Sequence, residues 1–169
     1  MAVVDRSAAG LHAIELGATI LQLRAPGLSA RDLELEASRL VPRSSVPVLV
    51  SSRCDVALAA GAAGVNLPER DITVGAARAI LGDRLIGRSV HSVASALIAE
   101  GDGADFVIFG PVWMSPSHAN EAARGVEALA TVANAVRIPV LAIGGVDAGR
   151  VAECMAAGAQ GYAAIRLFT

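Results

Sequence analysis

The chain has 169 residues, 54% of them hydrophobic, with a formal net charge of −2, enough for one sizeable core and hardly for two, so a single domain over 1–169 is expected. With no excess of positive charge and only Trp113, Tyr162, Phe106, Phe109 and Phe168 as aromatic residues, nucleic acid is not an expected partner. All 14 basic residues are arginine, which excludes Schiff-base catalysis by a lysine and a Walker-type phosphate loop.

No apolar run approaches the ~18 residues of a spanning helix. The opening Met1-Ala-Val-Val-Asp5 enters a strand without a basic leader or cleavage site. A cytoplasmic protein with no membrane association is therefore expected. Cys54 and Cys154 are too few for a disulfide framework and lack metal-ligand spacing, so both are read as reduced thiols.

Eight short apolar runs predict strands at 2–5, 19–24, 47–51, 64–67, 85–90, 105–110, 139–143 and 161–166. Most are continuously apolar, as strands buried on both faces must be. Between them lie alanine-rich stretches with helical spacing. Ser29-Ala-Arg-Asp32 and Ser52-Arg-Cys-Asp55 resemble capping boxes, and Leu33, Ala37, Leu40 and Val41 then share one helical face. Val151, Cys154, Met155 and Gly158 form a similar stripe in the last helix. Gly17-Ala18, Gly61-Ala62, Gly103-Ala104 and Gly158-Ala159 each close a helix and lead into a strand, while Pro47 and Pro139 mark intervening joints. This alternation predicts an α/β protein, a closed TIM (β/α)8 barrel, in preference to an open doubly wound sheet. Such barrels usually need ~200 residues or more. The chain stops three residues after Arg166, so the last outer helix is expected to be missing and the exposed strip to be covered by another subunit, making a homo-oligomer.

Barrel chemistry sits at the C-terminal ends of the strands. Pro139-Val-Leu-Ala-Ile-Gly-Gly-Val146 ends a strand in bare backbone, and a helix predicted to begin near Asp147 would point its positive end the same way. Gly144 and Gly145 therefore read as a phosphate seat, with a tight strand-to-helix turn as the alternative. Arg166 adds donors to the same anion or caps an exposed terminus. Arg24 ends the apolar run Ile20-Leu-Gln-Leu23 and reads as a clamp for an anionic or planar ligand, with a solvated strand end as the alternative, and Ser89 stands on the same rim. His91 and His118 are the histidines on this rim, each a proton carrier or, respectively, a structural hydrogen bond beside Ser89 and a surface-loop residue. His12 falls in the first helix as a surface residue. Cys54 opens a helix and reads as a small buried thiol. Glu69 and Asp71 read as solvated loop charge, with a base or a cation site as the alternative.

In order along the chain, Gln22-Leu-Arg24, Arg53-Cys-Asp-Val-Ala-Leu58, Gly64-Val-Asn-Leu-Pro68, Ile86-Gly-Arg-Ser-Val-His-Ser92, Ala104-Asp-Phe-Val-Ile-Phe-Gly-Pro-Val112, Arg124-Gly125 and Ala142-Ile-Gly-Gly-Val146 resemble the thiamine phosphate synthase and thiazole tautomerase (TenI) family of barrels. The resemblance implies one of two reactions. Synthase members join a pyrimidine diphosphate to a thiazole phosphate with loss of pyrophosphate, using Mg²⁺ and several cations. Their usual Lys after Gln-Leu-Arg is Pro26 here, their Asn-Asp pair is Ser51-Ser52, Asp71 is the counterpart of their second carboxylate, and their later loop Lys is His118. Asn66-Leu-Pro68 and Gly87-Arg-Ser-Val-His-Ser92 look like the tautomerase branch, which shifts protons in a carboxythiazole phosphate until the ring is aromatic and needs no metal or other cofactor. That branch's histidine after Phe-Gly is Pro111 here, and Arg166 replaces a small or hydroxyl residue. The expectation is a TenI-like barrel binding a small phosphorylated thiazole ligand, with His118 or His91 as proton carrier; Gly144, Gly145 and Arg166 on the phosphate; and Arg24 and Ser89 on the ligand. The alternatives are a non-catalytic phosphate-binding or regulatory barrel and a weak synthase.

Overall fold

The computed structural model describes residues 1–114 and 122–168. Each apolar run forms a strand: β1 (Ala2–Val4), β2 (Leu21–Leu23), β3 (Val48–Ser51), β4 (Gly64–Leu67), β5 (Leu85–Val90), β6 (Phe106–Phe109), β7 (Val140–Ile143) and β8 (Gly161–Ala163). The helices are α1 (Ser7–Glu15), α2 (Ala30–Leu40), α3 (Cys54–Ala59), α4 (Val74–Leu81), α5 (Val93–Gly101), α6 (Val126–Ala135) and α7 (Val151–Ala156). The strands pair in parallel in sequence order. An Ala2–Ala164 bridge closes the ring, with the Val3 N–H donating to Ala164 O at 3.0 Å and the Ala164 N–H to Met1 O at 3.1 Å. The architecture is a TIM barrel, and the four Gly-Ala joints close their helices with glycine φ between +67° and +89°.

The register sorts side chains into two cores. Val3, Gln22 and Leu49 are paired laterally, as are Asn66, Gly87 and Phe106. These positions face the barrel interior, where Met1, Val3, Leu49, Phe106, Ile108 and Ala163 cluster. The alternate positions, among them Leu21, Val50, Val65, Ile86, Val107 and Val140, pack against the helices. The helices meet them through Ala13, Ala37, Ala57, Ala77, Ala96 and Ala99, all buried. Small contact residues let the helix axes approach the sheet closely.

Polar side chains terminate the N-terminal face. Asp105 Oδ2 accepts from the Ile86 N–H at 2.7 Å and from Arg78 at 2.8 Å, and Arg78 also donates to Gly82 O, Arg84 O and Gly103 O. Gln160 Oε1 accepts from the Val140 N–H, and Glu100 Oε1 from those of Arg137 and Ile138. These bonds satisfy strand starts that would otherwise strand backbone donors. That face is stapled for stability, whereas TIM-barrel enzymes carry their active sites at the other end.

Several local expectations change. Ser29 caps α2, accepting from the Asp32 N–H at 3.2 Å, and Leu33, Ala37 and Leu40 are buried as predicted. Ser52 caps nothing: its φ is +66°, Arg53 holds the N-cap position of α3, and the Arg53 guanidinium is instead paired with Asp55. The full capping box is Ser92 with Ser95 on α5. In α7 Cys154 is buried but Met155 is 46% exposed. The helix predicted near Asp147 starts at Val151, because Asp147 Oδ1 and O both accept from the Arg150 N–H and hold a turn first. Strand β8 ends at Ala163, so Arg166 opens a 3-10 turn, Arg166–Phe168.

Among the described residues no outer helix follows β8. The 3-10 turn instead tucks Phe168, 6% exposed, into the helix-side core, with its ring stacked on Tyr162 at 6.4 Å and 12°. Replacing Phe168 with Ala is expected to lower unfolding free energy by about 3 kcal/mol. Denaturant melts would check this, and a loss under ~1 kcal/mol would mean the ring is not what holds that edge.

Candidate active site

Ser51, Asn66 and Ser89 come from the upper part of three adjacent interior faces. Ser51 pairs with Asn66 and Asn66 with Gly87, and Ser89 lies two residues further up β5. Asn66 is 3% exposed and its Nδ2 donates to Ser89 Oγ at 3.1 Å, while its Oδ1 has no hydrogen-bond partner among the described residues. A buried acceptor without a partner costs about 1–3 kcal/mol, so it calls for a reason beyond packing. Gly87 leaves room for this amide: a Cβ there would stand 2.8 Å from Asn66 Oδ1 and collide with the Phe106 ring. Arg24 is exposed at the end of β2, its N–H bonded to Val4 O at 2.8 Å.

His91 follows β5 and is held from several sides. Its ring Nδ1 lies 2.5 Å from Gly110 O, and its backbone N–H is shared between Glu69 Oε1 and Ser95 Oγ, each at 3.2 Å. A carbonyl oxygen only accepts, so Nδ1 carries the proton and Nε2 is left as the basic nitrogen. Arg124 Nε donates to the same Gly110 oxygen at 3.1 Å. Burial works against the Glu69 carboxylate, but bonds from Ser95 and the His91 N–H, with the charges of His91 and Arg124, hold it below the usual glutamate range. Glu69 is thus part of the His91 support and not the solvated loop charge expected from sequence. Its loop is gathered by Arg88, which donates to Glu69 O at 2.7 Å and Ile72 O at 2.6 Å. Glu69, Arg70, His91 and Arg124 line the polar end of an open cleft of about 940 Å³, whose apolar wall includes Phe109 and Val132.

The chain after β6 connects His91 to the glycine pair. From Gly110 it runs over β7: the Val112 N–H donates to Ile143 O at 2.9 Å and the Trp113 N–H to Gly144 O at 3.0 Å. Gly144 and Gly145 have φ of +91° and +67°. A Cβ on Gly144 would lie 2.6 Å from Pro111 Cα, and one on Gly145 2.7 Å from Trp113 Cβ. Close approach of this segment therefore accounts for both missing side chains, alongside any anion. Arg150 locks the turn, donating to Gly145 O at 2.8 Å and lying over the Trp113 ring at 5.0 Å. The predicted helix-dipole contribution is absent next to the glycines, since α7 begins six residues after Gly145.

Of the remaining candidates, His118 lies outside the described residues. Arg166 is exposed in the terminal turn, and His12 is exposed beside Glu15. Cys54 is buried, with burial first and the Asp71 and Asp55 charges next pushing its thiol up, which keeps it protonated and unreactive. The sequence reading missed Arg88, Arg124 and Arg150 as organisers of the rim. A lone Arg inside the apolar run of β5 was the available signal for Arg88.

The family model described as "Thiamine monophosphate synthase" (TMP-TENI) matches residues 5–168. A thiamine-phosphate synthase of Chloroflexus aurantiacus is 39% identical over 157 residues, covering 90% of this chain and 73% of that relative. One from Methanoculleus marisnigri is 42% identical over 154 residues, covering 88% and 73%. The solved thiamine phosphate pyrophosphorylase from Pyrococcus furiosus superposes with a TM-score of 0.89 at 31% identity, covering 97% of this chain and 83% of that one.

Proposed function

From the premise that the chain belongs to the thiamine monophosphate synthase (TMP-TENI) family, we propose that it binds a phosphorylated thiazole at the C-terminal mouth of the barrel and shifts protons within it without a metal. The observation that carries this reading is the locked His91 ring, whose Nε2, without a partner among the described residues, is set as the basic nitrogen by the Nδ1 contact to Gly110 O. A ring fixed in one tautomer, with Glu69 beside it to stabilise the imidazolium, can take a proton from an acidic ring carbon and return it elsewhere. In this reading Gly144, Gly145 and Arg166 hold the phosphate, and Arg24 and Ser89 orient the ring.

A second reading, thiamine phosphate synthesis from a pyrimidine diphosphate and a thiazole phosphate, is favoured by the names of the relatives. That reaction implies Mg²⁺, a hard ion that takes carboxylate and phosphate oxygens. Against it, Ser51 and Ser52 offer neutral hydroxyls where that reaction's Asn-Asp pair is expected, which leaves Asp71 as the carboxylate at a matching position.

One experiment separates the two. The protein with excess chelator is given carboxythiazole phosphate and the aromatic isomer is followed by absorbance and NMR. In parallel, the protein with Mg²⁺ is given the two synthase substrates and pyrophosphate release is followed. Isomer formed under chelation with no pyrophosphate is the expected result. Pyrophosphate release without isomer would overturn the proposal in favour of the synthase, and binding without either product would identify a non-catalytic barrel.

A further inference from the structure

We infer that Asn66 is a positioning residue that fixes Ser89 as a hydrogen-bond donor toward an anionic oxygen of the ligand. The inference rests on the reading above that the ligand sits over Ser89. An amide NH2 only donates, so a Ser89 Oγ that receives Asn66 Nδ2 at 3.1 Å keeps its own proton for another acceptor. Asn66 is 3% exposed and paired with Gly87, one layer beneath the half-buried Ser89. In the reading above, the acceptor over that layer is the ligand's. The other end of the amide supports this. Asn66 Oδ1 is buried without a partner among the described residues, and a side chain kept for packing alone would not carry such an oxygen where leucine avoids it. The donor end is thus the reason for the amide, and the bare Gly87 is the space it requires.

The test titrates wild type, Asn66→Asp, Ser89→Ala and the double variant with carboxythiazole phosphate, and separately with inorganic phosphate, by calorimetry at pH 8. The carboxylate of the Asn66→Asp variant only accepts, so it turns the Ser89 proton inward, and affinity for carboxythiazole phosphate is expected to fall at least about tenfold, while inorganic phosphate, which in this reading is seated on Gly144 and Gly145, reports on the separate phosphate seat. The double variant should bind no more weakly than Ser89→Ala, because the two residues act as one unit. Burial raises the pKa of the introduced carboxyl. Lowering the pH lets it donate again, and the wild-type to variant affinity ratio should shrink. The ratio cancels the titrations of His91, Glu69 and the ligand phosphate common to both proteins. Asn66→Leu, which removes the donor without a charge, repeats the affinity and coupling measurements if Asn66→Asp fails to fold. Unchanged affinity in the Asn66 variants, or losses that add to that of Ser89→Ala with no recovery at low pH, would overturn the inference. An unchanged Ser89→Ala would instead remove the placement of the ligand over Ser89.

Discussion

His91→Ala is expected to lower the rate of carboxythiazole isomerisation by about 10²–10⁴-fold, the usual contribution of one general base, while leaving affinity for the substrate within about threefold. The geometry dictates this split. The ring is tied by Nδ1 to Gly110 O, and the backbone N–H to Glu69 and Ser95, so none of these structural bonds uses Nε2. Losing the ring removes the proton carrier while Arg124 still holds Gly110 O and the chain beyond it. Single-turnover kinetics with separate titration of binding checks the expectation. A variant that turns over at the wild-type rate would strike His91 from the mechanism, and His118→Ala, assayed alongside, would then decide whether that histidine carries the proton.

The barrel was legible because its strands are buried on both faces. A strand such as Phe106–Phe109, with four consecutive buried apolar residues, suits a parallel sheet covered by helices on its outer face, and the regular alternation with alanine-rich helical stretches selects that setting. Starts and stops were less legible where side chains compete for the same backbone. Ser52-Arg-Cys-Asp55 has the spacing of a cap, yet the Arg53–Asp55 pair and the positive φ of Ser52 move the helix start onto Arg53. Asp147 reads as a helix opener and is one turn early, since its carboxylate binds the Arg150 N–H ahead of α7. In the site, Ser89 and His91 were visible because they share one strand end. The support of His91 by Gly110, Glu69 and Arg124 was not, because those residues come from three other segments that only the closed ring brings together. The same holds for the glycine pair, whose neighbours Pro111 and Trp113 are over thirty positions earlier in the chain.

Gly144→Ala is expected to destabilise the protein by about 2–5 kcal/mol, the sum of ~1–2 for a side chain at positive φ and ~1–3 for overpacking. Gly17 supplies the matched control. Its φ of +88° is close to the +91° of Gly144, but a Cβ on Gly17 would meet nothing within 4 Å, whereas one on Gly144 would press on Pro111 at 2.6 Å. Gly17→Ala should therefore cost only the strain, about 1–2 kcal/mol, and the difference between the two isolates the contact. Equal losses in denaturant melts would show that the segment from Gly110 to Trp113 yields freely and does not explain the bare glycine. Ligand affinity then weighs the second reason for that glycine. Gly17 lies at the far end of α1 and its variant should bind phosphate as wild type does. Gly144→Ala pushes on the Pro111 backbone, and through it on the Gly110 carbonyl that orients His91, so it should weaken binding and slow turnover together. If stability falls while both stay at wild-type values, the glycines serve the packing of this turn and the phosphate must be seated elsewhere on the rim.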